Sequence, residues 1–160
     1  MEISGVELDK IIEELNKVKT VSNKELNDTE DSRFTEIEKD FFKKFKPECS
    51  LIIYGSLAPN GPNHSVIEHI KGEYKKAKVK GKLENKGWGA ELGFLGFRHA
   101  SIEEQIEIEG IVLFSEELVE NWQLLDDFEG TGYRRVLAKY ELDTGEIGVG
   151  NIYAINEGNH

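Results

Sequence analysis

The amino-acid sequence predicts an α+β protein whose short, mainly antiparallel strands form a small barrel or a strongly curled sheet. Two observations lead to this class. Strand-like alternation of apolar and polar residues recurs at short intervals between residues 50 and 155. Helical periodicity is confined to the first 46 residues and to one later segment. With 160 residues, the chain has the length of one domain with a single core.

Two amphipathic helices are predicted before residue 47. The first is marked by apolar residues at helical spacing: Leu8, Ile11, Ile12, Leu15 and Val18. Polar residues 22–28 follow and predict a loop. The second stripe consists of Phe34, Ile37, Phe41 and Phe45. Ser32 is a suitable cap for it and Pro47 stops it. We expect both stripes to pack on the barrel.

The strands begin with the buried run at residues 51–53. Further strands are predicted at residues 78–83, 106–114, 135–142 and 147–155. The last two form a hairpin around the turn at residues 143–145. One helix interrupts the strands, with Ser115 as its cap. Its buried stripe consists of Leu118, Trp122 and Leu125.

Composition limits the possible partners. The formal net charge is −11, so a phosphate backbone would be repelled and nucleic acid is an unsuitable partner. The single cysteine, Cys49, cannot form an internal disulfide and is expected to be a small apolar filler. No run approaches the ~20 apolar residues of a spanning helix, and residues 1–4 lack a basic signal-like region. We therefore expect a cytoplasmic protein without a membrane partner.

Two short strings suggest chemistry. Tyr54-Gly55-Ser56-Leu57 follows the first strand, and its glycine lets consecutive backbone N–H groups converge on an anion or a polarised carbonyl oxygen. The second string is Leu125-Asp126-Asp127-Phe128-Glu129-Gly130, followed by Tyr133-Arg134-Arg135. A donor loop together with one well-placed carboxylate is the minimum for acyl transfer with a general base.

Glu129 is the favoured carboxylate. It stands at the end of the predicted helix and precedes Gly130, a natural C′ residue. The negative end of a helix disfavours a carboxylate, and burial acts in the same direction, so both would raise the pKa of Glu129. A general base that works near neutral pH benefits from such a shift. Asp126 and Asp127 are expected to be solvated surface charges.

The two strings resemble those of the γ-glutamyl cyclotransferase-like (avirulence-induced-gene-like) family, with its tyrosine-glycine-serine/threonine-leucine loop and its leucine-aspartate-x-phenylalanine-glutamate-glycine segment. Residues 57–64 and Gly87-Trp88-Gly89-Ala90 resemble one bacterial branch. The resemblance covers roughly residues 50 to 155. It implies a small mixed, mainly antiparallel β-barrel with flanking helices at residues 47–160. Residues 1–46 would be an N-terminal helical extension without a counterpart in the family.

The resemblance also implies an activity and a site. Family members release 5-oxoproline from a γ-glutamyl amine or γ-glutamyl amino acid by intramolecular cyclisation, without a cofactor. Glu129 would be the catalytic base, and the substrate would be bound by the amides of Gly55, Ser56 and Leu57 after Tyr54. A hydroxyl from Tyr133 or Tyr153 would bind a substrate carboxylate or steady Glu129. Asn60 stands where the family leads us to expect glycine, at the expected mouth of the pocket.

Several alternatives stay open. Ser56 as a nucleophile is disfavoured because the sequence has no G-x-S-x-G elbow and its histidines show no triad pattern. No metal is expected, since His64 and His69 are not spaced as a helical pair and there is one cysteine. Arg134 and Arg135 would form ion pairs or neutralise a substrate, and Trp88 would cover a pocket or join the core. A non-catalytic small-molecule-binding or scaffold protein that keeps the pocket is the alternative function. The oligomeric state is left open.

Overall fold

The computed structural model of the chain describes residues 5–18, 36–54, 64–84, 96–99, 103–130 and 132–155. Its helices are α1 (Gly5–Val18), α2 (Glu36–Phe45) and α3 (Leu118–Glu129). Its strands are β1 (Ser50–Ile53), β2 (Glu73–Glu84), β3 (Gly96–Arg98), β4 (Ile106–Phe114), β5 (Tyr133–Leu142) and β6 (Ile147–Ile155). Short 3₁₀ turns lie at Pro47–Cys49 and His64–Val66. None of the helices in these ranges has the length and apolarity needed to cross a membrane.

The strands form one closed sheet. Their order is β1-β4-β2-β3-β6-β5, and the additional pairings β1–β6 and β2–β5 close a five-stranded barrel with β3 inserted between β2 and β6. The pairs β1–β6 and β3–β6 are parallel, and all other pairs in the described ranges are antiparallel. The predicted small mixed, mainly antiparallel barrel with flanking helices is therefore confirmed.

The β5–β6 hairpin has the predicted position. Its register runs from Tyr133 opposite Ile155 to Glu141 opposite Ile147. Gly145 in the turn has φ 93°, a left-handed conformation that glycine adopts without strain. By contrast, β2 begins at Glu73, five residues before the predicted start. Side chains 73–76 are all exposed although their backbone pairs with β4, so no period-two pattern marks them in the sequence.

The barrel interior holds one apolar cluster. It consists of Ile52, Ala77, Val79, Phe97, Ile108, Val112, Val136, Ala138, Tyr140, Leu142, Ile152 and Ala154. These residues come from all six strands, which is the expected result of alternating inward and outward side chains around a closed sheet. The buried alternate residues of β5 from Val136 to Leu142 are part of this cluster.

The helices α1 and α2 cover the outer face of the β5–β6 hairpin. Their buried residues are Leu8, Ile11, Ile12, Leu15, Phe41 and Phe42. They pack on Leu137 and Val149 of the hairpin. Asn16 adds a polar contact: its Nδ2 donates to the carbonyl oxygen of Leu137 at 2.8 Å, and its Oδ1 accepts from the N–H of Leu137 at 2.9 Å. The loop at residues 22–28, Ser32, Phe34 and the side chains of Val18 and Ile37 lie outside the described part of the chain. The division of the chain at residue 46 stays a prediction.

Helix α3 packs on another outer face of the barrel. Its stripe of Leu118, Trp122 and Leu125 joins Leu51 and Ile53 of β1 in one cluster. The Trp122 indole N–H donates to the Glu48 carbonyl oxygen at 2.9 Å. Ser115 was predicted as the cap of this helix, but the residue directly before the helix is Glu117. Its hydroxyl accepts from the N–H of Glu117 at 3.1 Å, in the turn that precedes Leu118. The helix thus presents its C-terminal end beside β5 and β6.

Candidate active site

Glu129 is the last residue of α3, and it is buried. The residue is only 9% exposed. Gly130 ends the helix with φ 76° and ψ −172°, and its N–H donates to the carbonyl oxygen of Asp126 at 3.0 Å. A side chain with a Cβ rarely adopts this backbone conformation, so the glycine is required to turn the chain from α3 into β5 directly after Glu129.

The environment of Glu129 disfavours its charged form. Burial is the larger cause, and the negative charge of Asp126 is the second; together they raise the pKa of Glu129 to about 7 from 4.5. A carboxyl group with this pKa is half protonated near neutral pH, and it can both accept and donate a proton there. The rise in pKa that the sequence predicts is present, and its main cause is burial.

Tyr54 lies at the end of β1, and its hydroxyl joins two other strands. It donates to the carbonyl oxygen of Tyr153 at 2.7 Å and accepts from the N–H of Phe97 at 2.8 Å. Burial raises the pKa of Tyr54, and the nearby Tyr133 and Glu129 raise it further. The phenol is therefore neutral. It lies close enough to Glu129 for the charge of Glu129 to affect its pKa, and its O–H already donates to a backbone carbonyl oxygen.

The remaining residues of the predicted loop, Gly55, Ser56 and Leu57, lie outside the described residues, as does Asn60. Their approach to Glu129 stays a prediction. The same holds for Trp88 and its neighbours at positions 87–90. Tyr133 begins β5 and is half-buried in the cluster that α3 forms with β1. The structure therefore brings Tyr54, Tyr133 and Tyr153 to the region of Glu129.

Asp126 lies one helical turn before Glu129, and residues of the barrel hold its carboxylate. Arg135 donates to it from Nε and Nη2, at 2.9 and 3.3 Å. The hydroxyl of Tyr153 donates to its Oδ1 at 2.6 Å. The prediction that Asp126 is a solvated surface charge is wrong, because its partners on β5 and β6 are not neighbours in the sequence. Tyr153 accordingly contacts Asp126, one turn away from Glu129.

Arg135 is a buried structural residue. Its side chain is 4% exposed, and its guanidinium carbon lies 4.5 Å from the centre of the Trp122 ring. Its Nη1 donates to Oδ1 of Asn151 at 3.3 Å, and Nδ2 of Asn151 donates to the carbonyl oxygen of Pro47 at 2.8 Å. The ion pair thus connects the motif that contains Glu129 to the Tyr-x-Arg motif. The joint presence of an aspartate and an arginine in two separate motifs was the signal that could have revealed it.

The other charged candidates are peripheral. Asp127 is exposed, as predicted, and accepts from Nε2 of Gln123 at 3.0 Å. Arg134 is exposed and its Nη2 donates to the carbonyl oxygen of Asn16 at 2.6 Å. His69 pairs with Oδ1 of Asn121 at 3.0 Å. Within the part of the chain that the structure describes, no group of three or more histidine, cysteine, aspartate or glutamate side chains is arranged to hold a metal ion.

A separate hollow of about 360 Å³ lies at the opposite end of β1 from Tyr54. It is lined by Lys44, Phe45, Lys46, Cys49, Ser50, Phe114, Ser115 and Glu116. Burial raises the pKa of the Cys49 thiol, which disfavours the reactive thiolate. The hollow contains none of the candidate active-site residues.

Neither a protein-family model nor a curated protein matches the sequence. Solved structures match the fold. YkqA from Bacillus subtilis has a TM-score of 0.52 and 27% identity, over 68% of this chain and 36% of that chain. At5g39720.1 from Arabidopsis thaliana has a TM-score of 0.51 and 18% identity, over 69% of this chain and 70% of that chain. An AIG2-like protein from Mus musculus has a TM-score of 0.47 and 19% identity, over 66% of this chain and 76% of that chain.

YkqA and At5g39720.1 are proteins with the γ-glutamyl cyclotransferase-like fold, and this chain has the same fold. The resemblance read from the two sequence motifs is therefore confirmed. The chain spans about a third of the length of YkqA, so the similarity concerns one part of YkqA. The activity and the substrate of this chain are therefore proposals.

Proposed function

We propose that this protein is a γ-glutamyl cyclotransferase-like enzyme that releases 5-oxoproline from a γ-glutamyl amine or a γ-glutamyl amino acid. The single observation that carries the proposal is the buried carboxyl group of Glu129, whose pKa is raised to about 7 at the end of α3. The resemblance of the string at residues 125–130, which contains Glu129, and of the string at residues 54–57 to the family motifs supports it. Glu129 has the protonation behaviour that a general acid and base requires near neutral pH.

In the proposed reaction the α-amino group of the substrate attacks its own γ-carbonyl carbon. A carbon–nitrogen bond forms and closes a five-membered lactam, and the bond from the γ-carbon to the leaving nitrogen breaks. Glu129 accepts a proton from the α-ammonium group and returns one to the leaving nitrogen. The nucleophile and the electrophile belong to one molecule, so proximity supplies much of the rate and the chemistry requires no cofactor.

The backbone amides of Gly55, Ser56 and Leu57 would bind the glutamyl end of the substrate or the developing oxyanion. Tyr133 would contribute a hydroxyl group to the same pocket. Tyr54 would line the pocket with its ring, because its O–H is already bonded to the carbonyl oxygen of Tyr153. A small γ-glutamyl molecule would be the partner, in the cytoplasm. The net charge of −11 argues against nucleic acid.

The test is a screen of γ-glutamyl amines and γ-glutamyl dipeptides for release of 5-oxoproline. We expect turnover of at least one substrate, and we expect Glu129→Gln to lower that turnover by about 10² or more, because glutamine keeps the shape but accepts no proton. Glu120→Gln is the matched control, since Glu120 is an exposed residue of the same helix. Folded protein that releases no 5-oxoproline across a broad panel would favour a binding or scaffold protein instead.

A further inference from the structure

The carboxylate of Asp126 is fixed more firmly than its position at the protein surface requires. Its side chain is 38% exposed, yet it receives three hydrogen bonds from two residues. Both donors come from strands: Arg135 from β5 and Tyr153 from β6. Because the Arg135 side chain is only 4% exposed, Asp126 compensates a buried charge and at the same time attaches α3 to the barrel.

Contacts other than the one with Asp126 also hold the Arg135 side chain in place. Its guanidinium lies over the Trp122 ring and donates to Asn151, which is anchored to the carbonyl oxygen of Pro47. The planar fork of arginine then meets both oxygens of the carboxylate. The last turn of α3 is therefore attached at a fixed distance from the barrel wall, and Glu129 stands at the end of that turn.

We propose that Asp126, clamped by Arg135 and Tyr153, is a positioning residue that fixes the last turn of α3 and keeps a negative charge beside Glu129. This inference rests on the proposed role of Glu129 as the base. The clamp orients the Glu129 carboxyl group and increases its affinity for a proton. Asp126 itself transfers no proton in the reaction.

The described groups around Glu129 are one negative charge, one positive charge and several neutral phenols. Among the described residues, the titratable and charged groups around Glu129 are Asp126 on its own helix, Tyr54 after β1, Tyr133 and Arg135 on β5, and Tyr153 on β6. Burial raises the pKa of Tyr54 and of Tyr153, so both phenols stay uncharged across the neutral range. Asp126 and Arg135 are then the groups in this set whose charge can be changed selectively.

The test is a carboxyl-carbon NMR titration of Glu129 in the wild-type protein and in two single variants. Asp126→Asn removes the charge and keeps the size and the acceptor oxygen. We therefore expect the pKa of Glu129 to fall below about 7, while burial, the larger cause, keeps it above the ordinary value of 4.5. Asp127→Asn removes the same charge from the exposed neighbour and is the control, in which we expect no change. An unchanged pKa in Asp126→Asn would overturn the proposal.

Asp126→Asn leaves the Arg135 charge buried without its partner, which can prevent folding. The double variant Asp126→Asn/Arg135→Met removes both charges and keeps the aliphatic stem over Trp122, so it decides the question in that case. Its reference is the single variant Arg135→Met, because loss of the arginine charge by itself raises the pKa of a nearby carboxyl group. We expect the lower pKa of Glu129 in the double variant, and equal values in the two variants would contradict the inference.

Activity gives a second reading that separates this inference from the proposed function. If the wild-type protein releases 5-oxoproline, the acid limb of the pH–rate profile should move to lower pH in Asp126→Asn, and kcat should fall severalfold with little change in KM. An acid limb that stays in place would refute the role of Asp126. If the wild-type protein releases none, the proposed function fails while the NMR titration still tests the clamp.

Discussion

At the residue scale, Glu129 carries a charge that the fold opposes. Its pKa is raised in the folded state, so the folded protein holds a proton that the unfolded chain releases between about pH 4.5 and pH 7. The folded state consequently loses stability as the pH rises through this window. The loss is complete above pH 7. The contribution is on the order of 3 kcal/mol, from the ~1.4 kcal/mol that each pH unit of difference represents.

Glu129→Gln should therefore gain stability relative to the wild-type protein as the pH rises. We expect the difference in the free energy of unfolding between variant and wild type to grow by up to about 3 kcal/mol from pH 4.5 to pH 7 and to level off above. Urea denaturation of both proteins at several pH values measures this difference, and the other carboxyl groups cancel. A difference independent of pH would mean that folding does not raise the pKa of Glu129.

Sequence reasoning reached Glu129 and missed Asp126 for a physical reason. The end of a helix and the following glycine are local features, so the position of Glu129 could be predicted from its neighbours. The partners of Asp126 come together only after β5 and β6 pair, and no spacing rule within α3 indicates them. Non-local contacts of this kind are visible in the sequence only as two motifs that occur together.

At the element scale, the exit from α3 depends on one glycine. Gly130 has a backbone conformation that is essentially restricted to glycine, although a Cβ there would meet no atom within 4 Å. Gly130→Ala should therefore destabilise the protein by about 1–3 kcal/mol through backbone strain. It should also lower any activity, because Glu129 directly precedes the strained residue.

Gly132→Ala is the matched control for this prediction. Gly132 also has open space around a Cβ and no left-handed φ. Alanine should be neutral there, or slightly stabilising, since it reduces the freedom of the unfolded chain. The midpoints of urea denaturation of the two variants measure the contrast. Equal effects at the two positions would show that backbone conformation at Gly130 is unimportant.

The elements themselves were predictable to different degrees. The hairpin of β5 and β6 was clear because its apolar residues alternate around a glycine turn. The first half of β2 was missed, since its exposed side chains carry no alternation while its hydrogen bonds come from β4. The pairing that closes the barrel, β1 with β6 and β2 with β5, depends on sheet curvature and was available only through the family resemblance.

At the scale of the whole molecule, the two N-terminal helices and the barrel share one buried cluster on the β5–β6 hairpin. Asn16 is the polar centre of this contact. Strand β5 pairs with β2 at residues 140–142, and none of the strands that the structure describes pairs with Leu137 on the side away from β6. The amide of Asn16 bonds both backbone groups of Leu137, and a ring nitrogen of His99 lies 3.2 Å from the same carbonyl oxygen.

Asn16→Ala should therefore destabilise the protein by about 1–3 kcal/mol, because it removes the partner of the N–H of Leu137, a fully buried residue, and one of two partners of its carbonyl oxygen, the other being His99. Glu14→Ala is the control, since Glu14 is an exposed residue of the same helix and alanine there should change the free energy of unfolding by less than about 0.5 kcal/mol. Thermal or urea unfolding measures both. Equal stabilities of the two variants would mean that the amide contact contributes nothing.

The contact of Asn16 with Leu137 also bears on self-association. The middle of β5 has apolar side chains. Without Asn16, the N–H and C=O groups of Leu137 could pair with a strand of another molecule. The asparagine occupies these groups with a side chain that cannot propagate a sheet. Loss of the Asn16 contact should therefore lower the yield of soluble protein during folding, in addition to its effect on the free energy of unfolding.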